Sequence, residues 1–505
     1  MRQRTQPENR CSSSSQKHLS QLLAWSLIVP AQLGGAATNV NGGAAGLVTR
    51  EVVLGKVTLM ADLARQSVAA TPDSQRLAFP IRKGSRCAIW VDGEETGTYS
   101  AVGEPLFSPD GKRLAYAAYR DGRWFVVENG QEGPSGEGVT RPVFSPDSQQ
   151  LAYGIQRDNK FHMMRGGQEG PAFDTIMQPT VFSPDSKHFA YGATRKGKRL
   201  MVFDSKEERE YESIGGNSLQ FFSPNSHRYA YAGKRGKQYV MIVDGKEGPP
   251  YELIASLKYE FSPDSQHFSY AAQAGGRHRL VLDGEELRVP DAEPEDAARF
   301  SPDGQRMALP VSRGSNWYIW ADQKLSKAYD QIGSEVVFSP NSRRLAYVAV
   351  TGGHWQIVDN GKMEGKNYDG ISNGPLEFSP DSQHLACVVL CGTKWRLVVD
   401  GVEGSEYDAV MGRDPSVLVE DDSSTTRRAP VWGQPPVYFS PDSRHVVYRA
   451  TRRNQRLVVV DNNESRPYAR ILSYPLFAND RLLRFLATRF NDRLEEEIVR
   501  VELEL

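Results

Sequence analysis

Short apolar stretches alternate with short polar turns along most of the chain. Residues 376–410 show the pattern: an apolar stretch ends at Phe378, a Ser-Pro-Asp-Ser turn follows, and the apolar stretches HLACVVL and WRLVV come next, before Asp400-Gly401. Proline already has the φ of a second turn position, aspartate and serine bond nearby backbone N–H groups, and Asp-Gly is a strong hairpin signal. The pattern predicts four strands of about five or six residues with their turns, roughly 38 residues in all.

The Ser-Pro-Asp turn recurs at a nearly fixed spacing. Its prolines are Pro72, Pro109, Pro146, Pro184, Pro224, Pro263, Pro302, Pro340, Pro380 and Pro441. The first eight gaps are 37 to 40 residues, and the last is 61. The excess is an insertion at residues 412–436, whose Asp, Ser, Thr, Arg and Pro content predicts an exposed loop. A degenerate eleventh copy, LFANDRLLRFLA, occupies residues 476–487.

A four-stranded unit repeated at this period is typical of a β-propeller blade. We therefore expect an all-β fold, a β-propeller of about ten or eleven four-stranded blades. Propellers usually have four to eight blades, so two tandem rings are slightly favoured over one large ring, although the spacing shows no break before residue 380. The C-terminal stretch EEEIVRVELEL is expected to complete a blade, because an exposed strand edge invites aggregation.

Aromatic residues recur at fixed places in the repeat. The phenylalanines before the turn should fill the gaps between blades, each contributing roughly 1.5–3 kcal/mol by burial. They are Phe107, Phe144, Phe182, Phe222, Phe261, Phe300, Phe338, Phe378 and Phe439. Fourth-strand tyrosines and third-strand tryptophans are also predicted to pack in the core rather than bind a ligand. These are Tyr251, Tyr329, Tyr368 and Tyr407, with Trp90, Trp124, Trp317, Trp355 and Trp395.

The polar residues of the repeat are predicted to be structural. Asn225 and Asn341 replace two of the turn aspartates, which a turn accepts and a catalytic acid would not. The position before the second strand is often histidine, as in His188 and His384, and elsewhere Arg or Gln. One histidine per blade is too sparse for a zinc site, so we expect a solvated polar position.

Other chemical motifs are missing from the sequence. It has no P-loop, H-E-x-x-H, EF-hand or G-x-S-x-G pattern, and its four cysteines show neither metal spacing nor a disulfide framework. No catalytic residue, metal ligand or cofactor is therefore predicted.

Residues 1–45 differ from the rest. Arg2, Arg4, Arg10 and Lys17 precede LLAWSLIVPAQLGGAA, and this order of basic and then apolar residues predicts either a signal peptide or a disordered extension. With a signal, the protein would be periplasmic or secreted, and without one it would be cytoplasmic. The apolar run is too short for a transmembrane helix. The repeats that follow predict that residues 46–505 form the propeller array.

The pattern S-P-D-[SG]-x-x-[LF]-A-[YF], seen from Ser108 to Tyr116, resembles the WD40-like repeats of TolB-type propellers. It also resembles the propeller domains that precede the catalytic domain of prolyl-oligopeptidase-type peptidases. The resemblance covers nearly everything from about Leu54 onward, and it implies a propeller fold but no particular function. The chain has no room for the α/β domain of TolB and has more repeats than TolB, so the partners of TolB are not carried over.

The charge is balanced overall, with 61 Lys and Arg against 62 Asp and Glu, which argues against a protein that coats nucleic acid. Locally the second-to-third-strand loops are basic, and their only acids are Asp121 and Asp158. The third-to-fourth-strand hairpins are acidic, as at Glu132, Glu169 and Glu247. Since these loops lie at opposite ends of a blade, the sequence predicts two charged faces, with ordinary solvated turns as the alternative.

These charges lead to a functional hypothesis. We expect a non-catalytic scaffold that binds a protein or another acidic polymer through a propeller face. Its predicted binding residues are Lys196, Lys198, Arg199, Lys234, Arg235, Lys237, Arg277 and Arg279. The alternative is an enzyme, a lyase or a hydrolase, with its site at the mouth of the propeller channel. The sequence carries no specific nucleic-acid signal and leaves the oligomeric state open.

Overall fold

The structure, a computed structural model, describes residues 38–39, 47–57, 68–73, 75–215, 221–289, 293–294, 297–333, 336–371, 376–411, 437–473 and 475–505. These residues form eleven antiparallel sheets and no helix within the ranges given. Each sheet is one propeller blade, which confirms the expected all-β propeller. The insertion at 412–436 and most of the extension at 1–45 lie outside the described residues.

The blades follow one another along the chain, and each runs from a first strand to a fourth. Blades 1 to 4 are Ala69–Ala70, Leu77–Lys83, Arg86–Val91, Glu94–Tyr99; Ala101–Val102 with Leu106–Phe107, Leu114–Arg120, Arg123–Glu128, Gln131–Glu132; Gly138–Val139 with Val143–Phe144, Leu151–Arg157, Lys160–Arg165, Gln168–Phe173; and Thr175–Phe182, Phe189–Arg195, Lys198–Phe203, Lys206–Glu207. Blades 5 to 8 are Ser213–Gly215, Ala230–Arg235, Gln238–Val243, Lys246–Tyr251; Leu253–Phe261, Phe268–Ala274, Arg277–Leu282, Glu285–Leu287; Glu293–Pro294 with Arg299–Phe300, Met307–Arg313, Asn316–Ala321, Lys324–Leu325; and Gln331–Ile332 with Val337–Phe338, Leu345–Thr351, His354–Asp359, Lys362–Tyr368. Blades 9 and 10 are Gly370–Ile371 with Glu377–Phe378, Leu385–Cys391, Lys394–Val399, Val402–Glu403; and Ala409–Met411 with Val437–Phe439, Val446–Arg452, Gln455–Val460, Asn463–Glu464. Blade 11 is Arg470–Ile471 with Leu476–Asn479, Leu482–Phe490, Glu496–Glu504, Val48–Val57, and Thr38–Asn39 beyond it.

The Ser-Pro-Asp motif forms the turn between the first and second strands, as predicted. In blade 9 the buried Ser379 hydroxyl donates to Asp381 Oδ1 at 2.5 Å and accepts the backbone N–H of His384 at 2.9 Å. The N–H of Gln383 donates to the same Asp381 oxygen at 3.0 Å. These hydrogen bonds, that from Ser379 first, lower the pKa of Asp381, so the carboxylate is a turn former and not a proton donor.

The last serine of the motif links neighbouring blades, which explains why the motif continues past its aspartate. The Ser382 hydroxyl of blade 9 accepts the backbone N–H of Asn341 in blade 8 at 2.9 Å. Equivalent links join Asp110 to Ser148, Asp147 to Ser186, Asp185 to Ser226, Asn225 to Ser265, Asp303 to Ser342, and Asp381 to Ser443. Ser382 has a φ of +67°, and Gly111 and Gly304 fill the same turn position elsewhere with a φ of +71°.

The position before the second strand is polar and partly exposed, as the sequence predicted, and its arginines also contact the next blade. In blade 8 Arg344 pairs with Asp359 of the same blade at 2.5 Å and donates to the carbonyl of Ser382 in blade 9 at 2.9 Å. Its guanidinium also lies 4.8 Å from the ring centre of Phe378 in blade 9. Where histidine takes the place of arginine, His384 Nδ1 lies 2.6 Å from Asp400 Oδ2. This position therefore connects blades, which a pattern within one repeat does not show.

Apolar clusters fill the gaps between successive blades. Phe378 is buried between blades 8 and 9, and Phe261 between blades 5 and 6. The fourth-strand tyrosines pack edge to face on the next blade, as Tyr407 does on Tyr448 with centroids 5.8 Å apart. The predicted core roles of the tyrosines and phenylalanines are confirmed, with Phe439 only partly buried against its cluster.

Apolar clusters join each blade to the next and the last blade to the first. Clusters of this kind join every consecutive pair from blade 1 to blade 11. A further cluster places Leu486 and Ile498 of blade 11 against Leu77, Phe79 and Trp90 of blade 1. The choice between one ring of eleven blades and two tandem rings stays a prediction.

Blade 11 combines both ends of the chain. The strand Val48–Val57 pairs antiparallel with Glu496–Glu504, whose Val499, Val501 and Leu503 are buried, so the C-terminal strand completes a blade as predicted. The fully buried Glu51 accepts a hydrogen bond from Tyr468 at 2.9 Å. The side chains of Arg466 and Arg489 lie 2.5 Å from the Glu51 carboxylate. An N-terminal strand thereby completes the blade that the C-terminal strands form.

Candidate interaction surface

The topology gives each blade two ends. The Ser-Pro-Asp turns and the third-to-fourth-strand hairpins lie at one end, which we call the motif end. The second-to-third-strand hairpins and the connections to the next blade lie at the other, which we call the basic end. The predicted separation of these loops between opposite ends of the blade is therefore present.

All eight predicted binding residues lie at the basic end of three consecutive blades. Blade 4 contributes Lys196, Lys198 and Arg199, blade 5 contributes Lys234, Arg235 and Lys237, and blade 6 contributes Arg277 and Arg279. They flank or occupy tight two-residue turns, in which Lys196 has a φ of +48° and Gly236 a φ of +59°. Such turns give the tips little freedom, so the positions of the charges are set by the sheets.

Half of these residues are engaged within the protein. Arg235 pairs with Glu247 at 2.5 Å, Arg279 pairs with Glu286 at 3.3 Å, and the Lys234 ammonium lies 5.2 Å from the ring centre of Tyr239. Arg199 is half-buried, and its backbone bridges to Tyr211. The other four, Lys196, Lys198, Lys237 and Arg277, are exposed and have no ion-pair partner among the described residues.

The basic end also holds acids that the sequence analysis did not place there. Asp174 follows the fourth strand of blade 3, accepts the backbone N–H of Lys196 at 2.6 Å and pairs with Lys160. The hydrogen bond from Lys160 is the main cause that lowers the pKa of Asp174. Glu252 in the same way accepts the N–H groups of Gly275 and Gly276 at 3.1 and 3.2 Å. The strand pairing brings these connections to the hairpins of the next blade, so this end mixes charges, while the exposed tips of blades 4 to 6 carry cations without acids.

Aromatic side chains continue along the same end. The second residue of the third strand is Tyr239 in blade 5 and Trp317, Trp355 and Trp395 in blades 7, 8 and 9. These four side chains are half-buried, whereas Trp90 in blade 1 is only 2 % exposed. Trp355 and Trp395 pack on the clusters that join their blades to the next. The predicted core role therefore holds fully for Trp90 and in part for the other tryptophans.

One carboxyl group in the first strands has no role in the turns or links. Glu377 of blade 9 occupies the place that Glu260 has in blade 6, where Glu260 pairs with Arg299 at 2.5 Å. Burial raises the pKa of Glu377 to about 7, and it is the sole cause of that shift. Nothing in the sequence distinguished this residue, because the shift depends on how deeply the folded chain buries it.

The described residues contain no group of three or more His, Cys, Asp or Glu side chains placed to hold a metal ion. They also form no helix of the length and apolar character needed to cross a membrane.

Comparison with known proteins adds a likeness of fold. No protein-family model matches the chain, and no curated protein matches its sequence. TolB from Acinetobacter baumannii is similar at 14% identity and a TM-score of 0.25, over 58% of this chain and 79% of that chain. The β-propeller domain of the trilobed protease from Pyrococcus furiosus is similar at 12% identity and a TM-score of 0.24, over 60% and 96%. A prolyl endopeptidase is similar at 13% identity and a TM-score of 0.26, over 57% of this chain and 54% of that chain.

Similarities at this level say nothing about chemistry, and the fold assignment rests on the eleven blades themselves. The resemblance to TolB-like and WD40-like β-propellers implied by the repeat is confirmed as a likeness of fold.

Proposed function

We propose that this propeller is a non-catalytic scaffold that binds an acidic protein partner through the basic end of blades 4 to 6. The observation that carries the proposal is the arc of exposed tips formed by Lys196, Lys198, Lys237 and Arg277, which have no ion-pair partner among the described residues. At the motif end the arginines before the second strands are used in links such as that of Arg344 to Asp359 and to Ser382, and its exposed lysines alternate with the acidic residues of the hairpins.

Electrostatics gives the arc a use in binding. Like charges on neighbouring tips repel one another weakly in water and add nothing to folding. A complementary acidic surface would remove that repulsion, and the combined field would increase the rate of encounter. Screening over about 8 Å at physiological ionic strength predicts that association slows as salt is added.

Charge reversal tests the proposal. The variant with Lys196, Lys198, Lys234 and Lys237 changed to Glu should fold normally, because surface substitutions usually change stability by little. It should lose the acidic proteins that the wild-type protein retains from an extract of its native host, identified by mass spectrometry. Retention of the same proteins by the variant, at low and at physiological salt, would contradict the proposal.

A matched control uses lysines at the motif end. Lys206, Lys246, Lys324 and Lys362 are exposed residues of the third-to-fourth-strand hairpins, and changing all four to Glu makes the same change in net charge. The proposal expects this control to bind its partners as the wild type does. Equal losses from the two variants would mean that net charge, and not the basic end, governs retention.

The enzyme alternative has one observation in its favour. Glu377, with a pKa of about 7, has the proton affinity of a general acid or base near neutral pH. Burial alone causes this shift, with no hydrogen bond or charged neighbour contributing to it, so the scaffold remains the proposal. Location outside the cytoplasm also stays a prediction, since the residues that suggest it are not described.

A further inference from the structure

The exposed cations and the half-buried aromatic residues form one continuous band at the basic end. The cationic tips belong to blades 4, 5 and 6, and Trp317, Trp355 and Trp395 follow at the same end of blades 7, 8 and 9. Each tryptophan is the second residue of its third strand, so a single strand residue separates it from the turn at the tip of the hairpin. The band thus has a cationic half and an aromatic half.

The dimensions of the band suit an extended polypeptide. Packed sheets lie about 10 Å apart, and an extended chain rises about 3.3 Å per residue, so one blade corresponds to about three residues of ligand. From blade 4 to blade 9 there are five steps, which a segment of about 15 extended residues would span. A side chain at every third position would then meet successive blades.

The chemistry of the band favours a peptide over a nucleic acid. Asp174 lies beside the tip of blade 4 and Glu252 beside the tip of blade 6, so a chain with a charge on every unit would meet these acids as well as the cations. A segment with carboxylates only at every third position can meet the cations alone. The Trp355 ring lies directly over Gly333, where an added Cβ would be 2.3 Å from its Cζ3 atom. One face of the Trp355 ring therefore lies against the sheet, and the residue is half-buried. The part of the ring that remains exposed suits contact with an apolar side chain better than stacking with a nucleic-acid base.

We propose that the partner presents an extended segment with carboxylates over blades 4 to 6 and apolar side chains over blades 7 to 9. This inference rests on the proposed function, because it specifies the ligand of the same end of the propeller. It adds that recognition has a direction: the acidic part and the apolar part must occupy separate halves of the segment.

Fluorescence anisotropy with labelled synthetic peptides and the full-length protein tests the inference. Two 15-residue peptides carry Glu at every third position of one half and Leu at every third position of the other, in the two possible orders. A third peptide of the same composition interleaves Glu and Leu, and oligothymidine serves as the nucleic-acid probe. We expect one of the block peptides to bind about tenfold more tightly than the interleaved peptide and than oligothymidine. Equal binding of all three peptides, or tighter binding of oligothymidine, would overturn the inference.

Variants separate the two halves of the band. Trp355→Leu combined with Trp395→Leu keeps apolar groups at the blade contacts, and its fold is checked by circular dichroism. This double variant should bind the block peptide about tenfold more weakly, and the salt dependence of that binding should not change. The four-lysine reversal should instead remove the salt dependence. If the four-lysine reversal loses native partners but the tryptophan variant binds the block peptide normally, the inference fails and the proposed function stands. If the four-lysine reversal keeps both its native partners and the block peptide, the proposed function fails together with the inference.

Discussion

Replacing Ser382 by alanine and by glycine measures how much the repeated serine contributes to joining the blades. Its hydroxyl accepts the N–H of Asn341 in the preceding blade at 2.9 Å, and the residue is only 2 % exposed. Either substitution leaves that amide without its acceptor, which costs about 1–3 kcal/mol in a buried setting. Ser382 also has a φ of +67°, a conformation that costs an L-residue about 1–2 kcal/mol and glycine almost nothing.

Alanine keeps this backbone cost, whereas glycine removes it and loses only about 0.4–1 kcal/mol through the greater freedom of its unfolded chain. We therefore expect both variants to be less stable than the wild type, with alanine the less stable of the two. Gly111 and Gly304, which fill the same turn position naturally, agree with this order. At an ordinary strand position alanine would be the more stable.

Urea denaturation followed by tryptophan fluorescence gives the order, and hydrogen exchange at the Asn341 amide shows whether the loss is local. Ser85 provides the matched control, because it is exposed and its φ is not positive. Its alanine and glycine variants should stay within about 0.5 kcal/mol of the wild type. A Ser382→Ala variant as stable as the wild type, or more stable than Ser382→Gly, would refute the role given to this serine.

Three further predictions concern stability. Phe261→Ala should lower the free energy of unfolding by about 3–5 kcal/mol in chemical denaturation, because it truncates a buried side chain. Asp264→Asn should lower it by under about 1 kcal/mol, because asparagine already serves in two of the turns, and equal losses from the two variants would contradict this. Glu51→Gln should cost about 1–3 kcal/mol, because the half-buried Arg466 loses its charge partner and Arg489 keeps only Glu497, and it should speed proteolysis of the N-terminal strand. The exposed Glu504→Gln is the control, and equal proteolysis of the two variants would count against the role given to Glu51 in holding this strand. Because burial raises the pKa of Glu377 to about 7, the unfolded chain releases this proton at lower pH than the folded one, and the wild type loses stability between about pH 4.5 and 7. Glu377→Gln lacks this loss, so its stability relative to the wild type should rise by up to about 3 kcal/mol from pH 4.5 to pH 8, and a difference that does not change with pH would be contrary evidence.

Features confined to one repeat could be predicted from the sequence. The residues that hold the turn from Ser379 to Ser382 together by hydrogen bonds are close together in the sequence. The regular spacing of the phenylalanines identifies the side of each blade that packs on its neighbour. The eight basic residues were placed correctly at one end for the same reason, since a hairpin tip is defined by the two strands beside it.

Features that join distant parts of the chain could not be predicted. Arg489 and Glu51 are 438 residues apart, and no local pattern indicates that they meet. Arg344 looks like a surface residue in its own repeat, and its bonds to blade 9 appear only when the blades pack. The acids at the basic end were missed because a connection at the end of one blade lies beside a hairpin of the next.

We propose that the eleven blades, joined by the motif residues, form one closed ring with a single basic end. An experimental structure of the full-length chain, by crystallography or electron cryomicroscopy, tests it most directly. We expect eleven blades around one axis, with residues 48–57 as the fourth strand of the blade formed by the C-terminus and with blade 11 packed on blade 1. Two separate axes, or an N-terminal strand paired anywhere other than with residues 496–504, would contradict the account.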